Sequence, residues 1–465
     1  MRPFISFDAD ATEARVAQGR AARLRADSTL LWLSLVPAFA FVRQRSNFIL
    51  GWQAAAAAGA AVSVGAAAGA VSAAGVPALG SWMMLPDLTT PATATVLPMN
   101  DALYGACHIE LDRQGPMLLH VPADPDDRYF SVAIVDAHWA NVAHLGPKWS
   151  GRGDVEVLLV PPGWTGDAPE GIQAIESPTA SVCLLCRCLV RYDDGDLDRV
   201  RTWRSGFTVR PLHGDLVDVE HDDLVHPDIA SLEDPWDYLT IGLDHVSRNP
   251  FPEQMSWILD TVDVNAILVA QHDEAGRAAV IEGVEAAQAI VDAALTTWPT
   301  HDGWRLPQPW TGLPNAHVVE NAGLQLFQVG SNDLGEAAYF FGDRDDKGRP
   351  LDGSYGSVYR LRFTADSLPP VDPAGFWSLT MYGPDNLLVA NALHRYSTRI
   401  TRPGFSPDPD GAVTLWLSAS KPEEVHEAAW LPAPAGPFRL GLRLYYPLAP
   451  VVDGTWRPPA PHLEW

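Results

Sequence analysis

The stretch that most constrains the fold is the last ninety or so residues, from Phe376 onward. It runs through FWSLTMYGPDNLLV, NALHRYS (from Asn391), WLPAPAGPF (from Trp430) and DGTWRPP (from Asp453). Short alternating segments such as Trp377-Leu379-Met381 and Thr414-Trp416-Ser418 sit between clusters of Pro, Gly and Asp. A period of two sends successive side chains to opposite faces of a strand, and turns this frequent join neighbouring strands antiparallel. The pattern predicts a sandwich or jelly roll.

A second β-rich block lies further upstream. PMLLHVP (from Pro116), RYFSVAIVDAHW (from Arg128), VEVLLVPPGW (from Val155) and ASVCLLCRCLVRY (from Ala180) are separated by the turns DPDD, GRGD and ESPT. Between the two β blocks, an acidic linker from His213 to Asp237 leads into helical signals. Pro252-Glu253 opens a helix carrying Trp257, Ile258, Val262 and Ile267. Another, from Asp273 to about Thr297, sets Val280, Val284, Ala287 and Val291 along one face. The N-terminal region also reads helical, with Glu13, Ala14, Val16, Ala17 and Arg20 opening an amphipathic stretch and LWLSLVPAFAFV broken at Pro37. The expected class is mainly β with a helical insert. Its parts are an Ala-rich helical region (1–92), a β-sandwich (93–212), an acidic linker with helices (213–335) and a jelly-roll-like antiparallel domain (336–465).

Charge narrows the partners. The chain carries 57 Asp+Glu against 32 Lys+Arg, a net charge of −25. Such a surface repels phosphate backbones and anionic lipid headgroups, so neither nucleic acid nor a membrane is expected as a partner. The charged N-terminus has no uninterrupted apolar run before a small-residue cleavage site, and four cysteines make no disulfide framework; the cytoplasm is the expected compartment. Between Arg45 and Asp87 no charged residue occurs. That length could cross a bilayer, and Gly65-x-x-x-Gly69 has a helix-packing spacing. Because Ala and Gly gain little from lipid, packed Ala-rich helices are the preferred reading, over a membrane span or a surface insertion.

Several constellations invite chemistry. Cys183, Cys186 and Cys188 look like half a zinc site, yet Cys183 and Cys186 face opposite sides of a strand, so core thiols are expected. His213, His221, Asp222, Asp223 and His226 could supply ligands, but their spacing fits no closed site. The loop Asp343–Gly348 has the alternating carboxylates of a calcium loop, with Ser354 where the bidentate Glu belongs. It reads as a hairpin turn. No metal and no organic cofactor are expected, and the phosphate loop, GxSxG elbow and HExxH motif are all missing. Asp136 and Arg187 are different, since both sit in apolar strands where an unpaired charge is costly. Either they form a buried pair, or they line a polar cleft with Asp101, Tyr104, Arg395 and Tyr396. His138 and His144 read as loop or surface positions.

The words of the two β blocks resemble a bacterial two-part family, domain of unknown function 1254 followed by domain of unknown function 1214. LPMNDALYG keeps Pro98, Asn100, Asp101, Leu103 and Tyr104 of the first domain's signature; DRYFSVAIVDAHWAN keeps Asp127, Arg128, Tyr129, Ser131, Asp136, Trp139 and Asn141; CLLCRCLV keeps Arg187. The second domain is echoed by EAAYFFGDRDDKGRPLDGSYGSVYRLRF and by PPVDPAGFWSLTMY after it, whereas a family Arg expected near His317–Ala322 is missing. The resemblance implies a β-sandwich, a small helical region and a jelly-roll-like domain, commonly as a homo-oligomer, and carries over no catalytic residue. The functional expectation is a small-molecule enzyme or binder with its site in a cleft between the β-domains. Asp101, Tyr104, Asp136 and Arg187 would act on the ligand by hydrolase- or lyase-type acid/base chemistry. Asn100, Trp139, Asn141, Arg395 and Tyr396 would bind it. The alternative is a non-catalytic oligomeric scaffold.

Overall fold

Apolar residues at helical and at strand spacing gather into separate cores. The computed structural model describes residues 13–63, 70–73, 75–93 and 97–465. One unit holds the chain up to Arg43 with His226–Thr297 and Asn315–Leu326, and the other holds Gln44–Val225, Trp298–Pro314 and Phe327–Trp465. The fold is mainly β with helical parts.

In the helical unit, the first part of the helix Glu13–Ala57 packs Leu31, Trp32, Leu35 and Val36 against Trp236, Leu239 and Val246 of the helix Pro235–Arg248. Val280, Val284, Ala287 and Val291 of the helix Glu274–Thr296 join the same core. The expected break at Pro37 does not occur, because the helix runs straight through it. A mid-helix proline costs about 3 kcal/mol, and burying a single Leu or Val returns about 1.5–3 kcal/mol. Leu35, Val36 and Phe41 around Pro37 are all buried, so packing wins. The single helix expected after Pro252 is instead a 3₁₀ turn followed by helices Trp257–Thr261 and Val264–Ala270. Asp263 makes the division, its side chain accepting the Ala266 N–H as a fresh N-cap.

Beyond Ala57 the Ala-rich stretch is not the helix expected over 46–86. Gly59, at a φ of +68°, ends it in the left-handed conformation that only glycine takes without strain. An antiparallel pair follows, β1 (Ala61–Ser63) with β2 (Ala70–Ser72). Gly65 and Gly69, and residues 1–12, on which the leader reading partly rests, lie outside the described residues. By length and composition alone the helix Glu13–Ala57 could cross a membrane, and most of its apolar window is buried within the fold.

The β unit continues with β3 (Met83–Met84), β4 (Ala102–Glu110), β5 (Met117–Val121), β6 (Phe130–Asp136), β7 (Asn141–Leu145), β8 (Val155–Val160), β9 (Gln173–Glu176), β10 (Ser181–Leu189) and β11 (Thr208–Pro211). They form one sheet in the order β3-β4-β10-β6-β7 and another in the order β11-β5-β8-β9. Leu103, Val132, Ile134 and Leu184 from the first sheet share a core with Leu119 and Leu159 from the second.

After Trp298 come β12 (Thr300–His301), β13 (Trp304–Arg305), β14 (Ala337–Gly342), β15 (Val358–Phe363), β16 (Val371–Tyr382), β17 (Ser397–Thr398), β18 (Val413–Ser418), β19 (Trp430–Pro432), β20 (Arg439–Pro447) and β21 (His462–Leu463). These make sheets β12-β13-β14-β20-β16-β17 and β19-β18-β15-β21, with Phe340, Leu361, Leu379, Leu415 and Leu442 in their shared core. Pairing is antiparallel except for β8 with β9 and β18 with β19.

Candidate functional site

Strand alternation creates the site. On β10, Val182, Leu184, Cys186 and Cys188 belong to the sandwich core, while Cys183, Leu185 and Arg187 turn to the opposite face and line a cavity. The β4–β10 register sets Arg187 opposite Tyr104. In the other large sheet, the β14–β20 register sets Arg443 opposite Tyr339, and Tyr445 follows two residues later on the same face. These side chains, with Leu97, Pro98, Trp139 and the segment Gln328–Gly330, line a partly open cavity of about 420 Å³.

Arg187 is buried and donates to Asn332 Oδ1 at 3.2 Å and to the Gly330 carbonyl at 3.1 Å. Its guanidinium lies 5.9 Å from the centre of the Tyr104 ring, within cation–π reach. Arg443, also buried, donates to the Leu97 carbonyl at 2.8 Å and to Thr380 Oγ1 at 3.3 Å. Among the described residues neither arginine forms an ion pair, and no Asp or Glu lines the cavity. Burial works against each charge, and the neighbouring phenols (Tyr339 and Tyr104 at Arg187, Tyr382 and Tyr445 at Arg443) work for it once strong alkali ionises them, so both guanidiniums stay above their ordinary range and remain charged. Burial pushes Tyr339 and Tyr445 up, so both are neutral donors at physiological pH.

The Gly330 carbonyl reaches Arg187 because its residue has a φ of +70°. A Cβ there would also stand 3.1 Å from Leu185 and 3.4 Å from the Trp139 ring. His108 lines the cavity from β4, and burial, helped by the Arg45 charge, pushes its imidazole down to about 3. Arg45 itself pairs with Glu110 at 2.9 Å, and Ser181 donates to the same carboxylate at 2.7 Å.

Of the residues singled out in the sequence, Tyr104, Trp139 and Arg187 meet at this cavity. Arg187 does not meet Asp136. Its neighbour on β6 is Ser131, and Asp136 stands opposite Val182, five positions along. Asp136 instead caps the turn out of β6, accepting from the His138 and Ala140 N–H groups at 2.8 and 2.9 Å. Burial raises its carboxyl against the pull of His138 and these two amides. Asp101 is a buried partner of Arg399 at 3.1 Å and accepts from Ser397 at 3.0 Å. Asn100 donates to the Thr89 carbonyl, and Asn141 to those of Gly312 and Ser331. Arg395 pairs with Glu427 at 2.8 Å, and the Tyr396 hydroxyl meets His394 at 3.2 Å. None of these last five borders the cavity.

Other readings change too. His138 does lie in a loop, the turn after β6, whereas His144 lies on β7, and both are buried rather than at the surface. His144 holds Asp333 at 2.6 Å and stacks on Trp149; burial would raise the Asp333 carboxyl, but this contact holds it below the ordinary range. Asp223 is engaged by Arg113. In the Asp343–Gly348 loop, Asp345 accepts from the Lys347 and Arg349 N–H groups and so closes a hairpin. Among the described residues, no three His, Cys, Asp or Glu side chains converge as a metal site would require. Arg443, Tyr339 and Tyr445 were missed in the sequence, although LGLRLYYP places an arginine among apolar strand residues just as CLLCRCLV does.

Comparison with known proteins adds the family. Residues 80–211 match the family described as a protein of unknown function (DUF1254), and residues 336–449 match the one described as a protein of unknown function (DUF1214). No curated protein matches. Among solved structures, the VPA0106 protein of Vibrio parahaemolyticus is similar at 19% identity and a TM-score of 0.66, covering 96% of this chain and 100% of its own. An uncharacterised protein from Burkholderia cenocepacia aligns at 13% identity and a TM-score of 0.43, over 97% and 96% of the two chains. The first shares the fold.

Proposed function

This chain belongs to the two-part family in which domain of unknown function 1254 is followed by domain of unknown function 1214, and from that premise we propose that it binds a small anionic organic molecule in the cavity of Arg187 and Arg443. One observation carries the reading: two buried guanidiniums border a single cavity, and neither forms an ion pair among the described residues. Each desolvated cation costs several kcal/mol, which a bound anion offsets. The walls suit an organic body, with Phe48, Met83, Leu85 and Leu185 apolar and Tyr104, Trp139, Tyr339 and Tyr445 offering rings with polar tips.

Binding is favoured over the hydrolase or lyase chemistry expected from acid/base carboxylates. Asp101 and Asp136 are engaged away from the cavity, and the described residues of its lining supply no carboxylate in their place. The scaffold alternative draws on Asp101–Arg399 and Arg395–Glu427, pairs that tie loops together. A jelly-roll path for the C-terminal strands, self-association and a cytoplasmic location belong to the same proposal and rest on the family resemblance and composition.

Thermal unfolding with a panel of small organic acids tests it. At least one acid should stabilise the unaltered protein, by about 2.7 kcal/mol when present at roughly a hundred times its Kd. Arg187→Met should lose that response, yet leave the ligand-free protein within about 2 kcal/mol of the parent, because relief of an uncompensated buried charge offsets the hydrogen bonds lost at Asn332 and Gly330. If the variant is instead several kcal/mol less stable and no acid shifts the unaltered protein, the scaffold reading replaces this one.

A further inference from the structure

The two arginines come from different sheets. Arg187 lies on β10 of the five-stranded sheet, and Arg443 lies on β20 of the six-stranded one. Each is tied back by its own segment, Arg187 by Gly330 and Asn332, Arg443 by Leu97 and Thr380. Tyr104, opposite Arg187, and Tyr445, two residues from Arg443 on the same strand, line the same cavity as both guanidiniums. Resting on the anion-binding reading of this cavity, we infer that its ligand is a dicarboxylate, two carboxylates joined by an apolar spine, with one carboxylate on each guanidinium.

Charge balance is the first argument. Among the described residues the lining carries two permanent cations and no acid, and His108 adds no charge near neutral pH. A monoanion would leave one buried guanidinium uncompensated, whereas two carboxylates satisfy both, and a guanidinium fork matches a carboxylate by paired charge-assisted hydrogen bonds. Size is the second. The cavity's volume of about 420 Å³ lies within the roughly 300–1,000 Å³ of small-molecule sites, room for two carboxylates and a short apolar spine. Leu97, Pro98, Leu185 and Val329 supply apolar wall for it.

Titration calorimetry on the full chain tests the inference with named probes: the saturated α,ω-dicarboxylates from succinate to sebacate, the monomethyl ester of the tightest one, and phenyl phosphate. We expect affinity to peak at an intermediate length and the monoester to bind about ten-fold or more weakly. In Arg443→Met and in Arg187→Met the diacid and its monoester should converge to within about two-fold, because only one fork is left to read them. The length series and the ester comparison on the unaltered protein decide the matter even if neither variant folds. A monoester as tight as its diacid, or phenyl phosphate tighter than both, overturns the dicarboxylate and leaves the anion site standing. Absence of binding by every probe and every acid of the wider panel removes the anion site, and this inference with it.

Discussion

His108 on β4 shows how burial alone sets a side chain's chemistry. It is 2% exposed, shares its surroundings with the Arg45 charge, and has its imidazole pushed down to about 3 from 6.5. The unfolded chain therefore takes up the proton first. Stability from the neutral ring is complete above pH 6.5, falls as the pH drops below that value, and is fully lost below the folded value near 3. Between pH 7 and 4.5 the unaltered protein should lose about 2.7 kcal/mol more than His108→Gln. Urea midpoints of the two proteins across that range check it, and parallel curves would show the ring is protonated in the fold. The same logic of buried charge applies to Arg187, which the sequence exposes by its position in LLCRCLV. The sequence could not say what partner it has, because Asp136 is close in motif but five strand positions away in register.

At the scale of elements, strands were legible and their irregularities were not. The β16–β20 ladder shifts register between Val371 and Phe376, and a Cβ on Gly375 would lie 2.1 Å from the Tyr445 carbonyl oxygen. That oxygen is backbone and cannot swing away. Gly375→Ala should then cost about 1–3 kcal/mol, while Gly436→Ala, with nothing within 4 Å of its new methyl, should stay within about 0.5 kcal/mol of the parent. Equal denaturant midpoints for the two variants would refute the close approach. Helix ends carried a mixed signal. Asp234 caps the helix that opens at Pro235 and Gly59 closes the N-terminal one, inside stretches that read as linker and as helix, whereas Pro37 announces a stop that buried neighbours overrule.

The whole chain closes two sets of cores, Leu31 to Val291 in the helical unit and the two sandwich interiors in the other. Each set buries its apolar side chains with its own residues, so unfolding should not be a single two-state event. Scanning calorimetry is expected to give a van 't Hoff enthalpy below the calorimetric one. A ratio of one would show that the units melt together. The helical unit is discontinuous, drawing on the N-terminal helix, residues 226–297 and residues 315–326. Nothing local marks three separated segments as one body, since an amphipathic face shows that it needs a partner without naming it.

By itself the sequence marked the alternating segments of the two β blocks and the helix from Asp273 to about Thr297, though not the β1–β2 pair inside its Ala-rich stretch. Strand period, turn residues and helix caps are local chemistry, and the two family matches at 80–211 and 336–449 follow from words readable in the chain. It also marked Tyr104, Trp139 and Arg187, all of which border the cavity. Tertiary structure alone decided the rest. Register fixed that Arg187 faces Tyr104 and that Arg443 faces Tyr339, and it left Asp101 and Asp136 engaged elsewhere. The physical reason is distance along the chain. Arg187 and Arg443 are brought to one cavity by strand pairings in two sheets, and pairing between remote strands is set by how whole faces pack, which no short window of residues contains.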